Sequence, residues 1–193
     1  MAIAAAVVLV AAIAAAAAFV IGGNDSTTPP PSRSPSGPNA PLIRTGVQVT
    51  ATHTAPSSTD AAGNVVTYLP GNVIDGIVQT AWRTPGNGRG ESLTLLFDTP
   101  IQIVRIGLIP GYAKTDPETG VNRFEQNRII TQVRYVMPGS PSVTQTFRPA
   151  PVPQFVRVGA TTSRITVEIL GTTEPGGLDY TAISEIYVYG FSR

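Results

Sequence analysis

The chain has no cysteine, one histidine, one lysine and one tryptophan among its 193 residues. The missing cysteine excludes disulfide staples, thiolate metal sites and thiol nucleophiles, so stability rests on the core and, at most, on a bound cation. The lone His53 reads as a surface or edge residue of the first strand region, and no Gly-x-Ser-x-Gly motif accompanies it. The Gly86-Asn-Gly-Arg-Gly90 run lacks a following Lys and Ser or Thr and opens no helix, so it reads as a flexible turn and not a phosphate loop. The carboxylates Asp116, Glu118, Glu125 and Asp179 show no spacing that marks a glycosidase acid and nucleophile. The reading is therefore a protein that is not an enzyme. Basic and acidic residues are interspersed, 13 against 12, which leaves no electrostatic footprint for nucleic acid. Twelve of the thirteen basic residues are Arg, a bias of GC-rich coding that points to an actinobacterial type of source.

Ala2 to Gly22 carries no charged or strongly polar side chain. At ~1.5 Å of rise per residue, such a run spans a bilayer core of ~30 Å, and residues 1–23 read as one transmembrane helix. A cleaved secretory signal is the competing reading, but no Lys or Arg precedes the apolar run, which exceeds the usual length of a signal core. The missing basic flank leaves orientation unread and hints at a longer protein upstream of Met1. Residues 24–42 hold Pro29-Pro-Pro31, Pro35, Pro38 and Pro41 among Ser and Thr, a composition that favours extended polyproline II and serves as a spacer. Residues 43–193 remain as one folded domain.

Within that domain the pattern is strand, turn, strand. Val47, Val49 and Ala51 alternate with polar residues, as do Leu93, Leu95 and Phe97, and Ile101 to Ile109 is nearly continuous in Ile, Val and Leu. Further strands are expected at 128–137, 142–148, 154–159, 163–170 and 183–190. Pro and Gly punctuate the gaps, and no segment offers a long 3.6-residue pattern, so the fold class is all-β, a sandwich or barrel. The longest connection, Pro110 to Asn127, is of a length that is usually functional or disordered.

Three segments carry a resemblance: Asn72-Val-Ile-Asp-Gly with Thr80-Ala-Trp82, Gly107-Leu-Ile-Pro-Gly-Tyr112, and Tyr180-Thr-Ala-Ile-Ser-Glu-Ile-Tyr-Val-Tyr-Gly190. Together they resemble discoidin or coagulation-factor C-type domains of the galactose-binding-like group. The NADase-type glycan-binding variant, found at the extracytoplasmic end of actinobacterial membrane proteins, is the most similar. The variant's name derives from a toxin that contains such a domain and gives no reason to expect NAD cleavage. The resemblance implies an eight-stranded jelly-roll β-sandwich with adjacent termini. It also implies a structural calcium held by Asp75, Thr80 and Glu185 with carbonyls of the 72–82 loop, since calcium accepts several hard oxygen ligands. A second reading of the same residues stays open: an Asx turn at Asp75 capped by Thr80, with Glu185 paired to an Arg. Trp82 reads as a core plug beneath the loop, with a sugar platform as the alternative.

The resemblance further implies a carbohydrate-binding module contacting cell-envelope glycan from the outer side of the membrane, with a protein partner in the envelope as the alternative. Ligands of such modules meet loops at one end of the sheets, where an aromatic face and paired hydrogen-bonding side chains can hold a sugar. The candidates are Arg83 after the tryptophan, then Tyr112, Lys114, Asp116, Arg123 and Asn127 in the long connection, and Tyr180 before the last strand. Each also has a structural reading: Tyr112 packing its own loop, Arg123 and Arg128 pairing with Glu125 or Glu118, Tyr180 as a corner of the sandwich.

Overall fold

The computed structural model describes residues 39–193. The expected transmembrane helix and the linker up to residue 38 lie outside the described residues. Among the described residues no helix is long and apolar enough to cross a membrane.

The elements in order are β1 (Leu42–Ile43), β2 (Val47–Ala51), a small hairpin of β3 (Ser58–Thr59) and β4 (Val65–Val66), a 3-10 turn Pro70–Ile74, and β5 (Trp82–Pro85). There follow β6 (Ser92–Leu108), the one-turn helix α1 (Arg123–Gln126), β7 (Ile130–Val136), β8 (Val143–Thr146), β9 (Gln154–Thr172), β10 (Tyr180–Ile183) and β11 (Ile186–Ser192). The expected all-β class holds, and the described residues form eleven strands where eight were expected.

A seven-stranded antiparallel sheet runs β1-β11-β6-β9-β7-β8, with β2 also on β6. The expected strands at 92–97 and 101–109 are one strand, β6, and those at 154–159 and 163–170 are one strand, β9. The pair keeps its ladder through the Asp98-Thr-Pro100 segment by a register shift between Leu96 and Ile101, a place where a proline costs no ladder bond. The half of β6 before the shift carries β2, and the half after it carries β11. The inward residues of both halves, Leu93, Leu95 and Phe97, then Ile101, Ile103, Ile106 and Leu108, join one core with Val133, Ile165, Val167 and Val188.

The chain enters the ladder at Leu42, one residue earlier than the sequence placed the domain, and β1 pairs with β11. The two ends of the domain are therefore hydrogen-bonded neighbours. The expected strand 183–190 divides at Ser184 and Glu185, because their backbones turn to other partners: Ser184 N–H donates to the Gly111 carbonyl, and Ile109 N–H donates to the Glu185 carbonyl.

Candidate functional site

Two separate constellations carry the polar chemistry. The first is built on β5 and β10, which pair as a two-stranded sheet with Trp82 opposite Ile183 and Arg83 opposite Ala182. Alternation along these strands sends Trp82 and Ile183 into the main core. Trp82 is fully buried and its Nε1 donates to the His53 carbonyl over 3.0 Å. The opposite face carries Ala81, Arg83, Tyr180 and Ala182, and against it pack Tyr68 and Tyr112. That face is the floor of a cavity of about 280 Å³.

Six of the seven residues expected to meet a ligand line this cavity: Arg83, Tyr112, Lys114, Asp116, Arg123 and Tyr180. Arg83 is 7% exposed, its Cζ lies 3.7 Å from the ring centre of Tyr68 and 4.0 Å from that of Tyr180, and its Nε is buried without a partner. Burial lowers its pKa. Tyr112 meets Tyr68 edge to face at 6.1 Å between ring centres, and burial pushes its hydroxyl up to about 12, so it stays protonated.

The long connection that supplies Tyr112, Lys114, Asp116 and Arg123 is a folded element. Thr115 bridges Asn122, Asp116 N–H donates to Val121, Arg123 N–H donates to Lys114, and Phe124 is buried against Gly111. Asp116 is buried and receives Arg123 through Nε at 2.7 Å and through Nη2, with Lys114 Nζ at 3.4 Å on its other oxygen. The hydrogen bonds from Arg123 hold its pKa below the usual carboxylate value. The pairing of Arg123 with Glu125 or Glu118 is thus corrected to Asp116. Arg128 pairs instead with Asp179 at 2.5 Å and Glu174 at 3.6 Å.

Asn127, the seventh expected residue, is 1% exposed and does not line the cavity. It follows the last residue of α1 and donates through Nδ2 to the Arg123 carbonyl at 2.7 Å, which fixes the end of the helix.

The remaining wall comes from the β3–β4 hairpin, which sequence reasoning missed. Ser58, Thr59, Asp60 and Tyr68 face the cavity, and Ser58 Oγ lies 2.7 Å from the Tyr68 hydroxyl. The signal was there in Ser-Thr-Asp-Ala-Ala-Gly-Asn-Val-Val, where Asp60 accepts from the backbone of Ala62 and Asn64. That is the turn chemistry of an Asp and a Gly between short extended runs.

The second constellation holds the residues expected to bind calcium. Asp75 Oδ1 accepts from Ile77 N–H at 2.7 Å, its Oδ2 accepts from Thr80 Oγ1 at 2.8 Å, and Thr80 Oγ1 also reaches the Ile77 carbonyl. Gly76, at a φ of 84° that suits glycine, presents its N–H to Glu185 Oε1 at 2.6 Å. The other oxygen of Glu185 accepts from Arg44 Nη1 at 3.1 Å, and the same nitrogen donates to the Ile74 carbonyl at 3.0 Å. A guanidinium thus spans the loop carbonyl and the buried glutamate, and both carboxylates are committed to N–H and O–H donors. So placed, these groups do not fit a calcium ion, which needs such oxygens free to converge. Among the described residues no group of three or more His, Cys, Asp or Glu side chains converges as a metal site. Burial raises the Glu185 pKa to about 7, against lowering by Gly76 and Arg44.

Residues 45–189 match the family described as the NAD glycohydrolase translocation F5/8 type C domain. Among solved structures, the chain is similar to the family 32 carbohydrate-binding module of Clostridium perfringens NanJ in complex with galactose. That match has 15% identity, covers 77% of this chain and 97% of that one, and has a TM-score of 0.55. A second family 32 module from C. perfringens, bound to GalNAc-β-1,3-galactose, matches at 15% identity, covering 77% and 99%, with a TM-score of 0.53. A third, from a family 31 glycoside hydrolase of the same organism, matches at 14% identity, covering 78% and 95%, also with a TM-score of 0.53. These likenesses show the β-sandwich fold. No curated protein sequence matches the chain.

Proposed function

From the premise that this chain belongs to the NAD glycohydrolase translocation F5/8 type C domain family, we propose that it is a non-catalytic glycan-binding module, tethered to the outer face of a cell membrane and directed at envelope polysaccharide. The observation that carries the reading is the cavity over β5 and β10. Four separate chain segments, the β3–β4 hairpin, β5, the Pro110–Asn127 connection and β10, bring tyrosines, two carboxylates and three cations to one concave site. Such a site offers ring faces and edges for C–H packing, and paired donors and acceptors for vicinal hydroxyls. Similar modules in solved structures are bound to galactose and to a GalNAc-containing disaccharide. The apolar N-terminal run and the Pro-rich stretch support the tether, which would raise the effective concentration of a weak binder near the wall.

The test is the full chain on an array of bacterial envelope glycans. Saturable retention that Tyr180→Ala and Lys114→Ala weaken, in variants that remain folded, is the expected result. A folded chain that retains no glycan of any class would sink the reading.

One observation favours a second reading, a protein-docking domain. On the sheet surface Phe155, 40% exposed, meets Tyr187 and Tyr189 at 5.8 Å each, and Arg105 lies over both Tyr189 and Phe155. Crosslinking from position 155 to an envelope protein, in the absence of glycan retention, would select it.

A further inference from the structure

The charges around the cavity do not cancel. Three cations, Arg83, Lys114 and Arg123, and two carboxylates, Asp60 and Asp116, line it, giving 3 − 2 = +1. Asp116 serves both Lys114 and Arg123. Asp60 is satisfied by its own turn. Arg83 is the cation of the three without a carboxylate beside it: its guanidinium has no hydrogen-bond or ion-pair partner among the described residues and its Nε is fully desolvated. Tyr68 and Tyr180 take up the faces of the guanidinium, a cation–π arrangement that leaves its N–H edge unsatisfied. A buried cation with free donors is costly unless something that binds there completes it.

We propose that this edge recognises a carboxylate on the ligand, so that the cavity takes an acidic sugar, a hexuronic acid residue of a polysaccharide. The proposal rests on the glycan-binding reading and adds the class of sugar. A carboxylate matches the planar fork of a guanidinium in a two-point contact, and the rings on the faces of Arg83 hold the fork in place before binding. Around it the Ser58 and Tyr68 hydroxyls supply contacts for ring hydroxyls. Because Asp116 is already doubly paired, it does not compete for Arg83.

The experiment titrates the full chain by calorimetry with galacturonic, glucuronic and mannuronic acids, each beside its neutral parent sugar and its methyl ester. At least one acid is expected to bind about tenfold to a hundredfold more tightly than its ester and its parent, as charge-assisted hydrogen bonds provide. The preference should shrink with added salt. Arg83→Gln is expected to abolish the preference, so that acid, ester and neutral parent bind alike.

If every ester and parent binds as tightly as its acid, the acidic class is overturned and the glycan reading stands. If none of the nine sugars binds while neutral glycans are retained on the array, the acidic class again fails alone. Failure of the whole array removes both. Should Arg83→Gln not fold, the acid-against-ester comparison on the unaltered chain decides the matter without it.

Discussion

Replacing Arg44 by methionine isolates the ion pair that joins the first residues of the domain to its last turn. Arg44 Nη1 lies 3.1 Å from Glu185 Oε2, and Glu185 is fully buried with its remaining oxygen on Gly76. Burial raises the glutamate from 4.5 to about 7 in the folded state. A carboxyl with a raised folded pKa holds its proton more tightly when folded. Its contribution to stability is therefore complete below about 4.5 and is lost as the pH rises through about 7. At 1.36 kcal/mol per pKa unit, that shift corresponds to roughly 3 kcal/mol across the window.

Without Arg44 the charged glutamate has no cation beside it, so the penalty of the substitution falls on the alkaline side. Arg44 is 31% exposed, so the 3–5 kcal/mol typical of breaking a fully buried pair is discounted for screening to about 2–3 kcal/mol at about pH 8.5. At about pH 5, where Glu185 is protonated in both proteins, the loss should be roughly 1 kcal/mol, the Ile74 carbonyl contact alone. Denaturant melts at the two pH values measure both numbers. An equal loss at both would refute the assignment.

Calcium provides the independent control. An ion bound at a concentration a hundredfold above its Kd would stabilise the unaltered domain by about 2.7 kcal/mol. The hydrogen-bonded arrangement of Asp75, Thr80 and Glu185 predicts no such gain. A calcium-dependent rise in melting temperature of the unaltered chain would show that an ion, and not Arg44, holds this loop.

Three further outcomes follow from the packing. Trp82→Ala empties the space beneath the loop and should cost about 3–5 kcal/mol in a denaturant melt, whereas a loss under 1 kcal/mol would mean that the indole is not the plug described. Tyr68→Leu keeps the site apolar but removes one ring from Arg83, and should cost about 0.5–2 kcal/mol with weaker sugar binding; unchanged stability and binding would show that the stacking contributes nothing. Gly176→Ala would bring a methyl group within 1.9 Å of the Glu125 carbonyl and displace the segment that leads to Leu178 and Tyr180. It should weaken sugar binding more than it lowers the melting temperature, and NMR shifts confined to residues outside 174–182 would contradict it.

The alternation in β2 and β6, the Asp-Gly loop with its buried tryptophan, and the polar residues of the long connection could be read in one dimension, because each depends on spacings of a few residues. The strand count could not. Whether Asp98-Thr-Pro100 ends a strand or is bridged by a register shift depends on β9 lying alongside, 60 to 70 residues away. Glu185 shows the same limit: its residue type and position suited either a cation or an arginine, and the choice fell to Arg44, 141 residues distant, brought near because β1 pairs with β11. By sequence Arg83 was a candidate ligand contact after the tryptophan, with nothing to say what would surround it. Its burial between two tyrosines comes from the parity of β5, which sends Trp82 inward and leaves Arg83 on the face that the β3–β4 hairpin and β10 enclose. Sequence alone determined which residue types meet water or core within each strand; only the tertiary structure decided which charges are left to face one another, because electrostatic partners are set by distance in space.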